Sequence, residues 1–182
     1  METTDQILEG FRLIGRAFVK EPSIWWFLVP VFLLWIGMVI YFGQYKKERL
    51  GWNSILANGI SFSWINIAAF RVLFMEDIMA DDFWLRFSIL LVFFIYGMFI
   101  IYIAFFHKIS QKAGSILAAP TQIYFLSVVS ILWGQGILLI NKWIFLDLLI
   151  AYIILSFAFW VLRKNLGILG EVEAIDKGEK PV

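Results

Sequence analysis

Cysteine is absent from this 182-residue chain, and histidine occurs only once, at His107. Without cysteine the chain has no disulfide bonds, no thiolate nucleophile and no Cys-ligated metal. A single histidine also excludes a metal site that needs two imidazoles from one chain. The motifs of zinc proteases, serine hydrolases, P-loop proteins and dinucleotide-binding enzymes are missing as well. We therefore expect no metal, no cofactor and no enzymatic activity.

Charge is also scarce. Charged residues make up 16% of the chain and the net charge is +1, whereas soluble proteins carry roughly 25% charged residues. A near-neutral chain offers no electrostatic basis for binding nucleic acid. Hydrophobic residues reach 62%, more than one globular core of this size can bury. The composition therefore predicts an integral membrane protein whose first partner is the lipid bilayer, and we expect the cell membrane.

Long apolar runs account for most of the chain. They are residues 24–43, 54–74, 84–106, 116–138 and 143–162. Each is close to the ~20 residues that an α-helix needs to cross a ~30 Å hydrocarbon core. The sequence predicts an all-α, polytopic transmembrane helical bundle of about five spans, in one domain over residues 24–164.

The two ends of the chain differ from this domain. Within residues 1–23, apolar residues from Ile7 to Phe18 recur at helical spacing and charged residues fall on the other side, which predicts an amphipathic helix. Such a helix can lie in the membrane interface or dock on a partner. Residues 165–182 are polar and contain glycine, so we predict a mobile tail.

Basic residues determine the predicted orientation, because Lys and Arg collect on the cytoplasmic side. The loops after the first and third spans and the start of the tail are basic, while the loop over residues 75–83 is acidic. The basic loops and the C-terminus are therefore predicted to be cytoplasmic. Five full spans then place the N-terminus outside. Two alternatives stay open: the first segment turns back at Pro30, or the whole topology is inverted.

Arg71 and Asp147 are the charged residues of most interest within the apolar segments. Each lies about four residues from the end of its segment that faces the acidic loop, at a similar depth. Ionisable residues inside a membrane are functional candidates. We predict an Arg71–Asp147 ion pair; the alternative is that each side chain reaches water separately.

Uncharged polar residues mark the second and fourth segments. Asn58 and Gln122 lie near the ends that face the basic loops, and Asn66 points in another direction on the helical wheel. Polar side chains in a span hydrogen-bond to neighbouring helices. We expect interhelical hydrogen bonds here, with a shallow polar cavity as the alternative.

The function expected from these features is interaction. The chain would be an assembly factor, scaffold or accessory subunit of a membrane complex, with other membrane proteins or a second copy of itself as partner. The alternative is a small oligomeric transporter or channel for an ion or small solute, with Asp147 and Arg71 at its pathway.

Overall fold

The computed structural model describes residues 3–20, 22–44, 51–75, 82–138 and 141–176, and these residues form helices with no strand. In chain order the helices are α1 (Thr3–Lys20), a 3-10 turn (Pro22–Ile24), α2 (Trp25–Gln44), α3 (Trp52–Met75), α4 (Phe83–Phe106), α5 (Gln111–Leu117), α6 (Pro120–Gly134) and α7 (Lys142–Asp176). The predicted all-α helical bundle is confirmed.

Several helices are long and apolar enough to cross a membrane. Four such segments occur among the described residues: Trp52–Met75, Phe83–Phe106, Gln111–Gly134 and Lys142–Leu162. The α2 helix contributes a shorter apolar part, Trp25–Tyr41. It continues through Pro30 as one helix of 20 residues, about 30 Å long at 1.5 Å per residue. The turn back at Pro30 is therefore not formed, and the chain is an integral membrane protein.

The helices pack around α6. That helix contacts α3 most extensively, then α2 and α4, whereas α7 packs on α2 and α1. Helices α2 and α3 both pack on α6 but make little contact with each other. Helices α6 and α7 also make little contact, although they follow each other in the chain. These gaps leave concave surfaces on the outside of the bundle.

Small residues allow α3 and α4 to lie close together. A side chain added at Gly59 would meet Ile100, and one added at Gly97 would overlap Ser63. In a membrane, such close backbone approach replaces the hydrophobic drive that pairs helices in water. The α3–α4 pair is consequently the most extensive helix contact in the fold.

The fourth span differs from its prediction as one helix over residues 116–138. Helix α5 ends at Leu117, and Ala119 adopts an extended conformation (φ −57°, ψ 130°) before α6 begins at Pro120. Proline has no N–H, and its ring disfavours the helical conformation of the residue before it. The span is therefore discontinuous.

Both ends of the chain are helical where they are described. Helix α7 continues to Asp176, so the predicted mobile tail from residue 165 is helical up to that point; residues 177–182 lie outside the described ranges. At the other end, α1 buries Gly10 and Ala17 and exposes Arg12 and Arg16. Its position at the membrane interface stays a prediction.

Candidate functional site

The break between α5 and α6 is held by side chains from two other helices. The hydroxyl of Tyr96, on α4, donates a hydrogen bond to the Leu117 carbonyl at 2.7 Å. The amide of Asn58, on α3, donates to the Ala118 carbonyl at 2.9 Å. These carbonyls lack helical N–H partners because the helix stops there. Irregular backbone at membrane depth needs such partners, since lipid provides none.

Two residues of α6 extend this arrangement. The Gln122 amide donates to the Tyr96 hydroxyl at 2.9 Å, and the Tyr124 hydroxyl donates to the Asn58 side-chain oxygen at 3.5 Å, which is a long hydrogen bond. The structure thus brings Asn58 and Gln122 into one network. The sequence interpretation missed both tyrosines; the signal available was Pro120, which leaves carbonyls that need donors.

Asn66 does not belong to that network. It is fully buried, and its amide donates to the Phe62 carbonyl of its own helix at 2.9 Å. The side-chain oxygen of Asn66 accepts no hydrogen bond from any described residue. Its buried amide group therefore bonds within α3 and does not join two helices.

Asp147 is fully buried in α7. Neither carboxyl oxygen has a hydrogen-bond partner within the described part of the chain. The group lies against Gly10 of α1, so closely that a Cβ atom added to Gly10 would overlap the Asp147 carboxyl. The amphipathic helix α1 thus covers the buried acid of α7.

The predicted Arg71–Asp147 ion pair does not form in the structure. Arg71 is exposed on α3, whereas Asp147 is buried and without a partner among the residues described. The reason is the helix arrangement: α7 packs on α2 and α1, and not extensively on α3. Matching depth in the membrane did not imply adjacency around the bundle.

Arg86 is a charged residue that the sequence interpretation overlooked. It is 3% exposed on α4, and its guanidinium donates to the Asp82 carboxylate at 3.1 Å, one turn earlier. The signal was present, because an arginine in the first turn of a predicted span is costly unless it is paired or reaches water. Arg86 anchors the end of α4 next to the acidic loop.

Two concavities flank α6. The first, the α2–α3 groove, has a volume of about 340 Å³, and its lining includes Pro30, Leu34, Ser61, Trp64, Ala68 and Gln135. The second, the α6–α7 slot, has a volume of about 430 Å³, and its lining includes Phe93, Gln122, Val129, Trp133, Leu149 and Tyr152. Neither concavity is lined by Arg71 or Asp147.

No protein-family profile, curated protein sequence or solved structure matches this chain. Among the described residues, no group of three His, Asp or Glu side chains is placed to hold a metal ion. The features that bear on function are therefore the two concavities, the helix break and the buried acid.

Proposed function

We propose that this protein acts by interaction, as an assembly factor, scaffold or accessory subunit of a membrane complex. In this proposal, a transmembrane helix of another membrane protein lies in the α2–α3 groove. The observation that carries the proposal is the helix arrangement. Helices α2 and α3 both pack on α6 but make little contact with each other, which leaves a groove open to the bilayer.

The α3 wall of this groove is suited to a helix. Ser61 and Ala68 are half-buried and seven residues apart, so they lie on one face of α3, two turns from each other. Small residues permit a second backbone to approach closely, and hydroxyl or amide groups can hydrogen-bond across the contact. Gln135, at the end of the groove, supplies such an amide.

Trp64 gives an independent argument. Its side chain is 68% exposed and lines the groove. Trp64 is in the middle of α3, about 18 Å from the helix start by the rise per residue. Exposed tryptophans normally lie at the membrane–water interfaces, and this one does not. Tryptophan is also enriched among the residues that dominate protein–protein contacts, which supports a protein partner at this surface.

The alternative of a transporter or channel has less support. That reading places a pathway at Asp147 and Arg71. Asp147 is covered by α1 and Arg71 is exposed on a different helix. A pathway between them would require α1 to leave α7 and the two helices to rearrange.

The proposal is tested by filling the groove and by crosslinking from it. Ala68→Phe inserts a large ring between α2 and α3, while Ala158→Phe makes the same change at an exposed position of α7, away from the groove. After purification in gentle detergent, mass spectrometry of co-purifying proteins should show a partner that Ala158→Phe retains and Ala68→Phe loses. A photo-crosslinking residue at Trp64 should capture the same partner, whereas one at Val92, exposed on α4, should not.

Two outcomes would contradict the proposal. One is a homogeneous protein that crosslinks to nothing from position 64 and shows solute flux in liposomes. The other is a crosslinked product of two copies of this chain alone, which would assign the groove to self-association.

A further inference from the structure

Helix α1 has a buried side and an exposed side. On the buried side, Gly10 lies against α7 and Ala17 belongs to the hydrophobic core. The exposed side is a stripe of residues that recur once per helical turn. Its members are Asp5, Leu8, Arg12, Gly15, Arg16 and Val19. Helix α1 is therefore docked on the bundle through one side, and the stripe faces away from the bundle.

The basic part of this stripe forms an open notch. Arg12 and Arg16 are one turn apart, and they line the notch together with Gly15 and Val19. A Cβ atom added at Gly15 would meet no neighbouring atom within 4 Å. Arg12 lies 3.4 Å from the Glu9 carboxylate in an exposed pair, which is a weak interaction. Arg16 has no ion pair within the described part of the chain, so its charge is available to a ligand.

Two contacts place α1 at the ends of the apolar helices. The Trp25 indole donates a hydrogen bond to the Phe18 carbonyl at 2.9 Å, and Trp25 is the first residue of α2. Gly10 lies against Asp147, which is five residues after the start of α7 at Lys142, or about 8 Å along the helix. The ends of apolar membrane helices lie next to the lipid headgroups. The notch is therefore at headgroup level.

The other residues of the stripe suit a lipid. Leu8 and Val19 are 62% and 77% exposed, one on each side of the arginines. Apolar side chains beside cations are typical of helices that bind anionic membrane surfaces. From Asp5 to Val19 the stripe is about 21 Å long and about 10 Å wide. This area, roughly 200 Å², is far below the ~800 Å² that each partner buries in a stable protein interface.

We propose that the notch of Arg12, Gly15 and Arg16 binds the phosphate of an anionic phospholipid in the surrounding bilayer. The two guanidinium groups donate hydrogen bonds to the phosphate oxygens, and guanidinium N–H groups match such oxygens in pairs. Leu8 and Val19 contact the adjoining part of the acyl chains. This site is separate from the α2–α3 groove and does not depend on the function proposed above.

Native mass spectrometry of the full chain tests the site. The chain is delipidated in gentle detergent and titrated with phosphatidylglycerol, with phosphatidylcholine and with inorganic phosphate. The double variant Arg12→Gln/Arg16→Gln removes both guanidinium groups from the notch. Its matched control, Arg71→Gln/Lys142→Gln, removes two cations that are also exposed and lie outside the notch.

We expect one phosphatidylglycerol per chain, bound more tightly than phosphatidylcholine, and no retained inorganic phosphate. Arg12→Gln/Arg16→Gln should weaken phosphatidylglycerol binding roughly 25-fold, since each arginine near an anionic lipid contributes about fivefold. The control should weaken it by less than about twofold, because its cations do not reach the bound phosphate. The thermal midpoints of both variants should equal that of the unchanged chain, because exposed charges contribute little to stability.

Four results would overturn the proposal. Equal weakening by the two double variants would mean that charge attracts the lipid without a site. Equal affinity for phosphatidylglycerol and phosphatidylcholine would mean that the anionic headgroup is not recognised. Retention of inorganic phosphate as strong as that of phosphatidylglycerol would assign the notch to a free anion. Loss of a co-purifying protein, and not of lipid, from Arg12→Gln/Arg16→Gln would assign the stripe to a protein partner.

Discussion

Asp147 meets α1 at a position where that helix has no side chain. The carboxyl group is fully buried, and Gly10 leaves the space that it occupies. A buried polar group without a partner costs free energy, so this contact does not stabilise the fold through hydrogen bonding. The effect of the contact is steric. Gly10 allows α1 and α7 to lie close together, and α1 in turn covers the Asp147 carboxyl group so that solvent does not reach it.

The two glycines of α1 provide a matched pair of substitutions. Gly15→Ala meets no neighbouring atom and should raise stability by up to about 1 kcal/mol, because alanine favours helix more than glycine does. Gly10→Ala has the same gain in propensity but overlaps Asp147, and overpacking of this kind costs about 1–3 kcal/mol. The thermal midpoint in one detergent should therefore rise for Gly15→Ala and fall for Gly10→Ala.

A second substitution checks the cause. In the Gly10→Ala background, Asp147→Ala removes the overlapping carboxyl and should restore the midpoint. If Gly10→Ala behaves like Gly15→Ala, the contact between α1 and α7 is not the one described.

At the scale of elements, the discontinuous span shows how far local sequence reasoning reaches. Pro120 lies inside the apolar segment over residues 116–138 and has a strong local effect on the backbone. The apolar length of the segment nevertheless predicts one span, and neighbouring helices can compensate for a proline within it. Whether they close the helix or bond to the opened carbonyls depends on residues far away in sequence, here Asn58 and Tyr96.

Tyr96→Phe removes both hydrogen bonds of the Tyr96 hydroxyl, the one donated to the Leu117 carbonyl and the one accepted from the Gln122 amide. It should lower the free energy of unfolding by about 1–2 kcal/mol. Tyr102→Phe is the control, since Tyr102 is on the same helix and half exposed. Denaturation in mixed detergent measures both. Equal midpoints for the two variants would show that the network does not support the break.

At the scale of the whole molecule, α2 determines the sidedness of the chain. Because α2 is one uninterrupted helix, we propose that it crosses the membrane, which places α1 on the same side as the turn between α6 and α7. The groove contacts agree, since Trp26 near the start of α2 and Gln135 just after α6 line the same groove. In this proposal the amphipathic helix and the acidic loop share one side of the membrane, and that side is external.

Sidedness can be measured with single cysteines, since the natural chain has none. Asp5→Cys, Lys112→Cys and Asn141→Cys are all at exposed positions. With a membrane-impermeant maleimide on intact cells, Asp5→Cys and Asn141→Cys should be labelled and Lys112→Cys should not, until the membrane is opened. Labelling of Asn141→Cys alone would mean that α2 does not cross. Labelling of Lys112→Cys alone would mean that the topology is inverted.

The sequence by itself determined the class of protein and which segments form long apolar helices. Apolar length and the absence of charge are local properties, and a bilayer requires each spanning segment to satisfy its own backbone as a helix. The paired concavities, the cover over Asp147 and the network at Pro120 were decided by the tertiary structure alone. In lipid, burying apolar surface between two helices gains little free energy, so it does not favour one neighbouring helix over another. The choice depends on small residues and shape, which place Asp147 against Gly10 and leave Arg71 exposed on another helix.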